Sequence, residues 1–123
     1  MLLEEDLSYQ IRRAVFEVSR HLGHGFLEKV YERALSCELR SRGLGVASQV
    51  SLVVRYKGKD VGWYYADMIV EDRILLELKS QARTKNDEAQ MLNYLKASGL
   101  RVGMLINFVY PKANQAANTV DSI

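Results

Sequence analysis

Cysteine is almost missing from this chain: Cys37 stands alone among 123 residues. A single thiol excludes a disulfide framework and a cysteine-based zinc site. Its place beside Leu35 and Leu39 in a helical stretch predicts a buried structural thiol. Histidine is nearly as scarce, and His21 and His24 have no third ligand to complete a zinc site. No apolar run approaches the length of a bilayer span, and the chain opens on no signal-peptide pattern. A cytoplasmic location without membrane association is therefore the expectation. Excess charge is lacking too, since the net charge is +2, a weak footprint for an obligate electrostatic binder of nucleic acid. The cations are unevenly placed, however. Arg40, Arg42, Arg55, Lys57 and Lys59 follow one another with no acid among them, while the chain begins with Glu4-Glu5-Asp6. That basic stretch suits an approach to phosphates and suits a solvated face equally well.

What is present is ordinary for one soluble domain, with 48% apolar and 26% charged residues. Leu7, Ile11, Val15, Val18 and Leu22 recur at helical spacing, which predicts a helix over residues 4–22. Gly23-His24-Gly25 breaks it, and a second helix follows with Leu27, Val30, Ala34 and Leu39 as its expected apolar stripe. Residues 46–56 and 61–70 read as strands around a Lys57–Asp60 turn, and Ile74–Lys79 reads as a third strand after the break at 71–73. A helix over 85–98 and a strand buried on both faces over Val102–Val109 complete the domain. The expected order is α-α-β-β-β-α-β, an α/β fold with a mixed sheet flanked by helices. Residues 1–110 form the domain in this reading, and 111–123 a loose polar tail.

Four residue groups carry candidate chemistry: Gly25-x-x-Glu28-x-x-Tyr31, Asp67, Glu77-x-Lys79 and Gln90-x-x-x-Tyr94. Glu77 and Lys79 share one face of their strand. If residues 71–73 form a three-residue hairpin loop, Asp67 falls directly opposite Glu77. Facing Cβ atoms in such a pair lie roughly 4.5–5.5 Å apart. Two carboxylates that close repel one another, and a neighbouring cation relieves the cost. Lys79 supplies part of that charge and a divalent ion would supply more, so the pair suits a hard-cation site with oxygen ligands. Glu28 with Tyr31 and Gln90 with Tyr94 each share a helical face and are candidates to line the same pocket. Plainer readings stand beside these. Glu77 and Lys79 suit a cross-strand charge ladder, Glu28 a surface pair with Lys29 or Arg33, Tyr31 and Tyr94 the core, and Gln90 plain solvent. Charges inside Leu76-Glu77-Leu78-Lys79, an otherwise apolar strand, are nevertheless costly without a role.

Gly25-Phe26-Leu27-Glu28-Lys29-Val30-Tyr31, Tyr65-Ala66-Asp67, Leu76-Glu77-Leu78-Lys79 and Ala89-Gln90-Met91-Leu92-Asn93-Tyr94 together resemble the GxxExxY proteins. These are assigned to the PD-(D/E)xK nuclease superfamily, near its RecB-type and lambda-exonuclease-like branch. The resemblance runs from the first helix to Asn107-Phe108 and implies a restriction-endonuclease-like fold. It also implies a metal-dependent nuclease acting on DNA. Asp67 and Glu77 would ligate Mg²⁺ or Mn²⁺, with the Leu78 carbonyl and Glu28 completing the shell. Lys79 would act on the attacking water, and Gln90, Tyr94 and Tyr31 would position the nucleic acid or a second-shell water. The chain departs from the pattern at Ala66, where the superfamily has proline, and at Asp87, where related sequences often carry histidine. The alternative is a nucleic-acid-binding or assembly module with a nuclease fold, dependent on a homo-oligomer or partner protein for targeting, or never cleaving.

Overall fold

The structure is a computed structural model that describes residues 4–79, 86–108 and 117–121. Helix α1 (Glu5–Leu22) forms because Leu7, Ile11, Val15 and Val18 bury one stripe. Glu5 and Asp6 in its first turn and Arg20 and His21 in its last complement the helix dipole. It stops at Gly23, whose φ of 68° a side chain would resist. Helix α2 (Glu28–Ser41) buries Tyr31, Leu35 and Leu39, each four residues after the last. The expected stripe was rotated by about one position: Leu27 and Val30 are exposed, and Ala34 is only partly buried. Cys37 is exposed rather than a core thiol, because it lies two residues from Leu35 and so roughly opposite the buried stripe.

Strands β1 (Val46–Tyr56), β2 (Lys59–Val70), β3 (Ile74–Lys79), β4 (Val102–Asn107) and β5 (Ala117–Asp121) lie side by side in that order. Helix α3 (Asp87–Ser98) connects β3 to β4, which run parallel; the other neighbours are antiparallel. The expected α/β mixed sheet is thus present with one strand more. Part of the expected loose tail pairs with the edge of β4, and Val120 is buried there. Five residues carry too little periodicity to announce a strand; the free edge of β4 supplies the reason to pair. Val109 and residues 80–85 and 111–116 lie outside the described residues, so the expected end of β4 and most of the tail stay as expectations. No helix among the described residues is long and apolar enough to cross a membrane.

Helices α1 and α2 cover one face of the sheet and α3 the other. On β3, Ile74, Leu76 and Leu78 face the first layer, and Leu75 faces α3. Gly103 lets α3 approach closely: a Cβ there would collide with Met91 Sδ and lie 3.0 Å from its Cε. Gly103→Ala is expected to lower the unfolding free energy by about 1–3 kcal/mol through overpacking, read as a lower urea midpoint at unchanged slope.

One irregularity shapes the site. Val50, Leu52 and Ala66 pack on the α3 side, whereas Val46 and Met68, of the same strand parity, pack on the α1–α2 side. The faces exchange between them at Gln49, which has a φ of 51° and sits between the Ser48↔Met68 and Val50↔Ala66 pairs. A residue in that conformation kinks a strand and re-aims its side chains.

Candidate active site

Beside this kink β2 and β3 part. Their ladder runs from Val70↔Ile74 to Met68↔Leu76 and ends. The next positions in that register are Asp67 and Glu77, and there side chains replace the backbone ladder. The Leu78 N–H donates to Asp67 Oδ2 at 2.8 Å, and the Asp67 N–H donates to Glu77 Oε1 at 3.1 Å. Each carboxylate is thereby held by the peptide of the opposite strand. The hairpin loop over 71–73 is confirmed by the Arg73 N–H to Val70 carbonyl bond of 3.0 Å. The first turn is tighter than expected, with only Lys57 and Gly58 between Tyr56 and Lys59.

The pair is electrostatically tense. Glu77 is 6% exposed, and burial, joined by the negative charge of Asp67, pushes its carboxyl up to about 8. Burial likewise raises Asp67, against the pull of the Leu78 N–H. The Lys79 ammonium lowers both carboxyls, and the charge of Glu28 raises Glu77. Glu28 itself is exposed at the first position of α2.

Tyr31 explains how α2 is aimed. Its hydroxyl donates to the Gly23 carbonyl at 2.7 Å and accepts from the Phe26 N–H at 3.2 Å. Its ring is fully buried and stacks on Phe108 at 4.3 Å between centroids. This placement corrects the expectation of a tyrosine facing nucleic acid: ring and hydroxyl are both spent inside the protein. Tyr31 ties the loop that presents Glu28 to the end of β4. Tyr94 lies within electrostatic range of the pair. It is buried, its ring lies 5.5 Å from that of Tyr64, and its phenol is raised by burial and then by the charges of Glu77 and Asp67. Gln90, one turn earlier on α3, is exposed.

Two polar residues of the site escaped the sequence reading. Gln49 Nε2 donates to Glu32 Oε1 at 2.9 Å and to Asp67 Oδ1 at 3.4 Å. Glu32, only 8% exposed, also accepts from Lys29 Nζ at 3.1 Å. A relay of Lys29, Glu32, Gln49 and Asp67 thus joins α2 to the kink. Glu32 was within reach of sequence reasoning, because it stands four residues after Glu28 on the same helical face.

Among the described residues, no three His, Cys, Asp or Glu side chains form a ready-made metal cage. The structure brings Asp67 and Glu77 together and leaves Glu28 at electrostatic range. Two facing carboxylates still match the chemistry of Mg²⁺, which keeps several waters and takes one or two protein carboxylates. The raised Glu77 carboxyl is what a pair lacking sufficient counter-charge displays. The donor set fits such an ion.

The model of the PD-(D/E)XK nuclease superfamily matches residues 5–120. The chain belongs to that superfamily. The match spans all three helices and reaches β5, so the fifth strand is part of the matched domain. No curated protein and no solved structure matches significantly. PD-(D/E)XK nucleases generally use divalent metal ions, typically Mg²⁺, and their substrates are nucleic acids. The mixed sheet with helices on both faces is consistent with the superfamily's restriction-endonuclease-like fold.

Proposed function

We propose that this protein is a divalent-metal-dependent nuclease that hydrolyses phosphodiester bonds of DNA, with Asp67, Glu77 and Lys79 as its catalytic residues. The observation that carries the reading is the cross-strand clasp of half-buried Asp67 and buried Glu77, short of positive charge beside Lys79. Asp67 and Glu77 would hold Mg²⁺ or Mn²⁺, with the Leu78 carbonyl as a further oxygen and Glu28 reaching it directly or through water. When bound, such an ion supplies charge neutralisation at the phosphate and acidifies water.

The remaining work falls to the chain. Lys79 shares the strand face of Glu77, so its ammonium orients the attacking water and steadies charge developing on phosphate. Tyr94, beside the pair, and Gln90, exposed one turn away, contact the strand or its waters. Gln49 and Glu32 hold Asp67 in register. Within the superfamily, Gly25, Glu28 and Tyr31 align the chain with the GxxExxY proteins, and the Tyr31 clasp on the inter-helix loop accounts physically for that spacing.

The test is cleavage of single-stranded, duplex and branched DNA, and of RNA, by wild-type protein with Mg²⁺ or Mn²⁺. Metal-dependent products support the proposal, and no turnover of any of them under either metal sinks it. One observation favours the second reading, a binding or assembly module that needs a partner. Each carboxylate already accepts one peptide N–H, so the clasp between the strands holds without an ion. Salt-dependent binding without turnover would be its signature.

A further inference from the structure

The β1–β2 hairpin outruns the rest of the sheet. β2 pairs with β3 through Met68, Ile69 and Val70, so among the described residues the earlier part of β2 is partnered by β1 alone. That projecting arm carries large apolar side chains in the open: Trp63 is 60% exposed and Tyr65 59%. Their neighbours Tyr64 and Ala66 point to the α3 side, where Tyr64 meets Tyr94. By alternation, Trp63 and Tyr65 stand on the other face, which α3 does not cover. Asp67 follows two residues after Tyr65, where the faces of β2 exchange. Among the described residues no helix packs on the two rings, and their cross-strand partners are small or slender, Val53 opposite Trp63 and Ser51 opposite Tyr65.

The tip of the arm is cationic. Arg55, Lys57 and Lys59 stand there with Asp60 as their only acid, and Arg55 pairs with it at 2.9 Å. Exposed aromatics in a row beside lysine and arginine match an unpaired nucleic-acid strand, whose bases offer π-faces and whose backbone offers negative charge. Alternate residues on a strand stand about 6.4–6.8 Å apart, a spacing open to one extended nucleotide per ring. Duplex DNA keeps its bases stacked inside and offers these rings little.

We propose that the face of the β1–β2 hairpin bearing Trp63 and Tyr65 is a stacking platform for single-stranded DNA, leading the strand along β2 to Asp67 and Glu77. The proposal rests on the nuclease reading for its endpoint, but its binding claim is testable without turnover. Trp63 is the only tryptophan of the chain, so its emission reports the platform directly.

The experiment titrates wild-type protein in EDTA with oligo-dT and, separately, with a blunt duplex of equal length. Oligo-dT is expected to quench Trp63 saturably, less so as salt rises, and the duplex to quench it weakly. Trp63→Leu and Tyr65→Leu keep apolar bulk on the arm while removing the ring. Each is expected to weaken oligo-dT binding by about tenfold or more, measured by anisotropy of labelled DNA, at an unchanged melting temperature. Unaltered Trp63 emission on saturation with oligo-dT would overturn the platform. So would wild-type affinity in both leucine variants, or concentration-dependent burial of Trp63 with dimer formation in the absence of DNA. The last outcome would assign the face to a second copy of the chain. Failure of the nuclease reading shows itself differently, as absent cleavage with quenching intact.

Discussion

Asp67→Asn is expected to reduce metal-dependent phosphodiester cleavage by at least about 10²–10³-fold, the scale on which preorganised electrostatic groups act in catalysis. The substitution removes a charge while keeping the shape. Its amide oxygen can still accept the Leu78 N–H that Asp67 Oδ2 accepts at 2.8 Å, so the clasp between β2 and β3 persists. What disappears is half of the negative charge that would draw a divalent ion to the pair. Lys79→Ala is expected to lose activity comparably for a different reason. Lys79 lies at the end of β3 and is only partly buried, so the fold tolerates its truncation, and the ion's carboxylates are untouched. The two variants should therefore separate in a metal titration: Asp67→Asn weakens binding of Mn²⁺, and Lys79→Ala leaves it nearly unchanged. Wild-type cleavage rates in Asp67→Asn with either metal would remove Asp67 from the chemistry.

The metal-free protein should become less stable as pH rises from about 5 to 8. Glu77 carries a carboxyl raised from 4.5 to about 8 by burial and by Asp67. Between those values the folded state holds a proton that the unfolded chain has released. The unfolding free energy then falls with pH, at up to about 1.4 kcal/mol per pH unit for one such group. The stabilisation is fully present below the unfolded value and is lost as pH climbs through the folded one. Glu17, whose carboxyl is lowered by Arg20, acts in the opposite sense but only in the acid range, below its ordinary value. Glu77→Gln should flatten the dependence, since the amide keeps an oxygen for the Asp67 N–H without titrating. Saturating Mn²⁺ should also reverse it. An ion that takes the place of the proton stabilises the folded state more as pH rises, by about 2.7 kcal/mol at 100 times its dissociation constant. Urea titrations at several pH values, with and without Mn²⁺, read both effects. A flat profile in the metal-free protein, or the same slope in Glu77→Gln, would refute the electrostatic account of the pair.

The pairing of Asp67 with Glu77 was legible because the turn at 71–73 leaves β2 and β3 in simple register all the way to the site. The other side of Asp67 was not legible. Between Val54 and Arg55 the β1–β2 register shifts, so counting back from the Lys57-Gly58 turn slips by one residue before it reaches Gln49. Gln49 was lost to the sequence reading for that reason. Tyr31 was singled out by its spacing, yet its work is internal: burial against Phe108 cannot be read from a motif. Cys37 and the stripe of α2 were misjudged because a helix with apolar residues on several sides chooses its buried face only when something packs on it.

By itself the sequence determined the order of helices and strands, the hairpin that opposes two acids, and the placing of a lysine two residues on. These follow from periodicity and turn length, which are local properties of the chain. Only the tertiary structure decided which face of α2 is buried, that residues 117–121 close the sheet, and that Gln49 and Glu32 brace Asp67. It also decided that Trp63 and Tyr65 remain outside the core. Those outcomes depend on which surfaces meet across long stretches of chain, and burial is a property of the meeting, not of either stretch alone.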